Sequence, residues 1–257
     1  MKQFYLFLSF ILMLSANALQ AQNDSIYFWK NGTLKLKESI KTADLDSITF
    51  KRPVAQLPNV TIGNQVWKTK NLDVATYRDG TPIPEVKDAY TWANLTTGAW
   101  CYYENTTANG TTYGKLYNWY AVVGIHDNDP NTPNKVLAPA GWHVPSDAEW
   151  ATLITFLGGE NVAGSKMKAT GTSLWTAPNT DSTNSSGFTG LPGGNRANYG
   201  PFGNIGNSGY WWSSSEADAE GSDYRYALSL HLDKGRGVAY RYADDLNGGF
   251  SVRCVKD

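Results

Sequence analysis

The clearest pattern in the chain is a helical stripe. Trp150, Leu153, Ile154 and Leu157 recur at i, i+3, i+4 and i+7. Ser146 stands before the stripe as an N-cap, Glu149 completes a capping box, and Gly158-Gly159 supplies a stop. A second helix is predicted from Tyr113 to Val123, where Leu116, Tyr117, Tyr120 and Ala121 share one face and Gly124 follows. Elsewhere the period is two. Val60 to Trp67 reads as two short strands around a Gly-Asn turn, and Tyr210-Trp-Trp-Ser-Ser as another strand. From Tyr224 to Leu232, Tyr224, Tyr226, Leu228, Leu230 and Leu232 fall on one face, with Arg225, Ser229 and His231 on the other. Asp233-Lys-Gly-Arg-Gly turns the chain, Val238 to Tyr242 returns, and Phe250 to Val255 closes the pattern. Between Gly187 and Gly209, eight Gly and two Pro break any periodicity. The fold class expected is α+β: two helices, small antiparallel sheets and a long loop-rich region.

The first 56 residues have a different character. Lys2, an apolar run from Phe4 to Leu14, and small residues at Ala16, Ala18 and Ala21 form the pattern of a secretory signal peptide over residues 1–21. Residues 22–56 read as a short N-terminal β segment and linker. Ser25-Ile-Tyr-Phe-Trp and Thr33-Leu-Lys-Leu-Lys flank an Asn31-Gly32 hairpin signal, Asp46-Ser-Ile-Thr-Phe adds a short strand, and Pro53 and Pro58 mark the junction. Residues 57–257 form the main domain. No later stretch has the length and apolarity of a membrane span, so the chain is expected to be exported, to the periplasm, the outer cell surface or the medium.

Composition narrows the function classes. The 257 residues carry 22 Lys+Arg against 23 Asp+Glu, which argues against a nucleic-acid footprint. Ten Trp and 15 Tyr are the surplus. Export places the only two cysteines, Cys101 and Cys254, in an oxidising compartment, where a disulfide between them is expected.

Four blocks occur in one order: Tyr113-Gly-Lys-Leu-Tyr-Asn-Trp-Tyr-Ala-Val, Gly141-Trp-His-Val-Pro-Ser-Asp-Ala-Glu-Trp, Gly209-Tyr-Trp-Trp-Ser-Ser-Ser-Glu and Ser251-Val-Arg-Cys. Together they resemble the Fibrobacter succinogenes major paralogous domain family, from about Val60 to Asp257. The leader and the Asp46 segment resemble those of secreted Bacteroidetes proteins. The family is similar to proteins of the C-type lectin-like fold and, more distantly, to formylglycine-generating sulfatase-modifying domains. The resemblance implies two helices, a small sheet, a loop-rich half and surface or exported placement. It implies no particular activity.

Each candidate for chemistry has a plainer structural explanation beside it. The sulfatase modifiers use a reactive cysteine pair, whereas a structural bridge explains Cys101 and Cys254 better. His126, His143 and His231 lie in no metal-helix spacing, and no Gly-x-Ser-x-Gly elbow is present. No catalytic residue and no cofactor is therefore assigned. Calcium has two candidate loops, His126 to Asn131 and Asp244-Asp245-Leu-Asn247, both equally explained as Asx turns. Trp142, Trp150, Trp211 and Trp212 read as core. The ligand-facing candidates come from loops: Asn195, Arg196, Tyr199, Tyr240, Arg241, Asp244, Asp245 and Asn247. The expected function is a non-enzymatic module that binds a glycan or a protein surface. A sulfatase-modifying-factor-like enzyme and a structural cell-surface protein are the alternatives.

Overall fold

The structure of the protein, a computed structural model, describes the backbone strands at 25–30 and 33–39 and residues 58–217 and 225–257. The expected leader, the Asp46 strand and Tyr224 lie outside the described residues. The chain divides into two compact units, Met1–Ala55 and Gln56–Asp257. In the first, β1 (Ser25–Lys30) and β2 (Thr33–Ser39) form an antiparallel pair with a register shift between Phe28 and Trp29.

The second unit is α+β. It begins with the hairpin β3 (Asn59–Ile62) and β4 (Gln65–Lys68), then α1 (Ala89–Ala93) and β5 (Trp100–Cys101). Next come α2 (Thr107–Tyr113), β6 (Leu116–Tyr117), α3 (Trp119–Val123) and β7 (Trp142–His143). The capping-box helix is α4 (Asp147–Phe156), followed by α5 (Glu160–Met167). The remaining strands are β8 (Gly193–Arg196), β9 (Phe202–Ile205), β10 (Ser208–Ala217), β11 (Tyr226–Asp233), β12 (Ala239–Asp245) and β13 (Val255–Lys256). One sheet has the order β12-β11-β10-β8-β9, a second β3-β4-β13-β7, and β5 pairs with β6.

The main sheet separates two aromatic clusters. Side chains alternate along a strand, so the adjacent Trp211 and Trp212 of β10 enter opposite ones. Trp211 joins Trp67, Trp150, Leu153, Phe188, Leu230 and Leu232, while Trp212 joins Tyr117, Trp119, Phe250 and Val252. Three of the four tryptophans expected as core are fully buried; Trp142 is half-buried beneath the Lys68 ammonium, 3.7 Å from its ring.

Three expectations are corrected. The helix predicted over Tyr113–Val123 is broken into α2, β6 and α3. Gly114 ends α2 at φ 77°, Leu116-Tyr117 pairs with Trp100-Cys101, and the Asn118 side chain caps a new helix through Ala121 N–H. The Gly-rich stretch holds β8 and β9 instead of a continuous loop. Glycine is what lets these strands pack, since a Cβ on Gly194 would stand 2.5 Å from the Gly203 carbonyl oxygen. The expected disulfide is not formed. Cys101 and Cys254 are free, buried thiols. Cys101 packs with Trp92, Tyr103 and Leu116, and Cys254 with Tyr117, Trp212 and Val252. A bridge needs Cβ atoms about 4 Å apart, which side chains held in separate clusters do not provide. Burial pushes both thiols up to about 12.

Two fully buried cations, Arg253 and Lys168, are held by amide and carbonyl oxygens. Arg253 is 0% exposed and stacks on Phe188. It donates to Asn71 Oδ1 through Nε and Nη2 at 3.1 and 2.8 Å, and through Nη1 to the Lys68 and Phe188 carbonyls at 3.0 and 2.6 Å. Lys168 Nζ, also on a residue 0% exposed, donates to the carbonyls of Thr180, Asp233 and Arg236 at 2.9, 2.9 and 2.7 Å.

His143 joins the last strand to the head of α4. Nδ1 pairs with Asp257 Oδ1 at 2.8 Å and Nε2 with Glu149 Oε1 at 2.7 Å. Burial opposes its charge, but the two carboxylates outweigh burial and raise its pKa. A raised folded-state value means that the contribution is complete below the unfolded value near 6.5 and is lost as pH climbs through the folded value. The pair is partly solvated, so its worth is about 0.5 kcal/mol. The melting temperature should therefore decline slightly from about pH 6 to 8. His143→Gln should flatten that decline; an unchanged slope would show that the imidazole contributes nothing.

Candidate functional site

The sheet positions a row of rings on one face. The register sets Tyr210 of β10 opposite His231 of β11, and His231 opposite Tyr240 of β12. Trp212, Ser229 and Tyr242 align in the same way one pair further along. Tyr210 meets His231 edge to face at 4.5 Å, His231 lies 4.9 Å from Tyr242, and Tyr242 lies 5.8 Å from Tyr240. Phe250 stacks on both Tyr210 and Trp212, which anchors the row to the core. A groove of about 280 Å³ runs along this face, lined by Ser208, Tyr210, His231, Arg236, Tyr240 and Tyr242. Tyr242 remains 49% exposed. Burial raises the pKa of the Tyr210 phenol.

Polar groups are fixed around the rings. Asn204 Nδ2 donates to the Tyr210 hydroxyl at 3.0 Å and to Asn195 Oδ1 at 2.9 Å. Arg236 Nη1 donates to the Tyr240 hydroxyl at 2.6 Å. Asp244 Oδ2 accepts from Ser229 Oγ and lies 2.9 Å from His231 Nε2. Ser229, His231 and Asp244 contain the residue types of a hydrolase triad, but the geometry differs. A triad puts the carboxylate on Nδ1 and the serine on Nε2. Here both approach Nε2, and the serine hydroxyl is buried and donates to the carboxylate. The arrangement orients the imidazole and presents no nucleophile.

Of the eight loop candidates, Tyr240 lines the groove, Asp244 supports its histidine, and Asn195 is tied to it through Asn204. The other five lie elsewhere. Arg196 is 1% exposed, donates to the carbonyls of Gly200, Val86 and Lys87, and sits over Trp92 and Phe202. Asn247 is buried and donates to the carbonyls of Trp92, Ala93 and Leu95. Arg241 pairs with Asp147 at 2.7 Å on the opposite face of β12. Asp245 holds Asn198 and the Asn247 amide. Tyr199, 70% exposed, stands on the turn between β8 and β9. Sequence reasoning missed Tyr210, His231, Tyr242, Asn204 and Arg236. The signal for three of them was present in the alternation of β10, β11 and β12, once those strands are paired.

The proposed cation loops carry their carboxylates differently. Asp244 and Asp245, neighbours on a strand, point to opposite faces and do not converge. Asp127 Oδ1 accepts from the Asp129 amide and Asp129 Oδ1 from the Asn131 amide, which are Asx turns. The hollow beside them, about 330 Å³, is bounded by that loop and Thr96. Among the described residues, no three His, Cys, Asp or Glu side chains come together as metal ligands would.

A family model described as the Fibrobacter succinogenes major domain matches residues 60–256. No curated protein and no solved structure gives a match.

Proposed function

The chain belongs to the Fibrobacter succinogenes major domain family, and from that premise we propose that it is an exported, non-enzymatic module that binds a glycan on the β10–β11–β12 face. The C-type lectin-like architecture is part of the same reading, supported by the helix pair α4–α5, the small sheets and the turn-rich segments between them. The leader pattern in residues 1–21 supports export to the periplasm, the outer surface or the medium.

The observation that carries the reading is the row Tyr210, His231, Tyr242 and Tyr240 along a groove with fixed polar neighbours. Flat rings cover the C–H faces of a pyranose, while amide, hydroxyl and guanidinium groups bind its hydroxyls. A groove of this size, near the lower end of ligand pockets, suits a short saccharide better than a protein surface. Rings and hydrogen bonds suffice for such binding, so calcium has no assigned part. The sulfatase-modifier alternative needs an accessible, activated thiol, and both thiols are buried and raised to about 12.

The test is a glycan array probed with the exported chain, with calcium and again with chelator. Binding that survives chelation is expected, with about a tenfold loss in Tyr242→Ala at unchanged melting temperature. No glycan bound by a folded sample would sink the proposal, and self-association on light scattering would then favour a structural surface role. In the same sample both thiols should react with Ellman's reagent only after denaturation. Reaction in the native state would revive the enzyme alternative.

A further inference from the structure

We infer that the groove selects an acidic saccharide, its uronate-type carboxylate taken by Arg236; this rests on the glycan-binding reading above. Arg236 lies in the turn between β11 and β12, at the groove's end. Its guanidinium stands 5.8 Å from the Tyr240 ring centre and is tethered through Nη1 to the Tyr240 hydroxyl. One of five N–H donors is committed there, and among the described residues no carboxylate is paired with the group. An exposed guanidinium held by a tyrosine hydroxyl is a pre-oriented fork for a planar anion.

Charges of both signs surround it, so the open guanidinium fork is what singles out an anion. Lys168 lies directly beneath the turn, its ammonium donating to the carbonyls of Asp233 and Arg236. Lys234 is in the turn itself. Of the carboxylates there, Asp181 acts on Lys168, and Asp233, which also lines the groove, accepts from the Gly235 amide at 2.7 Å and from Ser208 Oγ at 3.2 Å. Asp244, which supports His231, is occupied by that ring and by Ser229. Buried charge is screened less than exposed charge, so Lys168 strengthens the field at the turn. The adjacent Tyr240 and Tyr242 rings, 34° apart in plane, offer a stacking surface beside the fork. A pyranose on those rings with its carboxylate toward Arg236 uses both features together.

Calorimetry on the exported chain tests this with trisaccharides of galacturonate, mannuronate and glucuronate, each beside its carboxyl-reduced neutral counterpart. At least one acidic member should bind about tenfold more tightly than its neutral partner at low salt. Arg236→Gln should abolish that preference, and Arg236→Lys should restore only part of it, because an ammonium lacks the fork. Tyr242→Ala should weaken acidic and neutral sugars alike. Equal affinity for both members of every pair, untouched by Arg236→Gln, would overturn the acidic selectivity and leave glycan binding standing. Failure of every sugar to bind a folded sample would overturn both.

Discussion

Arg253→Met is expected to destabilise the domain by about 3 kcal/mol. The guanidinium supplies donors to Asn71 Oδ1 and to the carbonyls of Lys68 and Phe188, all in the interior. Removing it leaves those acceptors facing a thioether. An unsatisfied buried acceptor costs about 1–3 kcal/mol. Two effects offset part of that loss. Asn71 Oδ1 keeps a hydrogen bond from Trp211 Nε1 at 2.8 Å. The buried charge is also itself costly, since burial pulls the group down to about 9. The acceptors still decide the sign, because methionine fills the space and satisfies none of them. Arg253→Lys should also lose stability, as one ammonium cannot reach both sides of the fork. Urea unfolding followed by tryptophan fluorescence gives the measurement. A loss below about 1 kcal/mol in the methionine variant would mean that neighbouring groups or water replace the donors.

Lys168→Met should cost about 2–3 kcal/mol and also weaken ligand binding. Its three acceptors come from two places in sequence, Thr180 on one side and the Asp233–Arg236 turn on the other. The ammonium therefore reinforces a junction that is also made by the Thr180 amide donating to the Lys234 carbonyl at 2.7 Å. The second effect separates this residue from Arg253. Removing Lys168 takes two of the hydrogen bonds from the turn that carries Arg236, whereas Arg253 lies against Phe188 and Asn71, away from the groove. A folded Lys168→Met protein with unchanged saccharide affinity would show that the turn is held by its own hydrogen bonds.

The sequence exposed those parts of the fold that rest on local chemistry. The capping box of Ser146 and Glu149 forms as its spacing demands. The alternation in β11 places Leu230 and Leu232 in the core and Ser229 and His231 on the other face. What stayed hidden depends on distant partners. The stretch Leu116-Tyr117 carries helical spacing yet becomes a strand because Trp100-Cys101 is there to pair with it. Helix α1 has only five residues, with Asp88 as its cap, too short a pattern to stand out. Arg196 and Asn247 look like loop ligands from their neighbours, but α1 and the segments flanking it present carbonyls to which those side chains donate. The groove was half legible for the same reason: Tyr240 and Asp244 sit in polar runs, whereas Tyr210 and His231 sit in strands that read as interior.

The placement of β13 has a further consequence. It is the last strand of the domain, yet it lies inside the four-stranded sheet, with β4 on one side and β7 on the other. Val255 pairs with both Trp67 and His143, and Lys68 N–H donates to the Cys254 carbonyl. During synthesis, a nascent chain that has not yet released these residues has an open gap between β4 and β7. Contacts so far apart in sequence form late, since loop closure must precede them. Closure of this sheet therefore waits on two residues, Val255 and Lys256, however much of the domain has already been made.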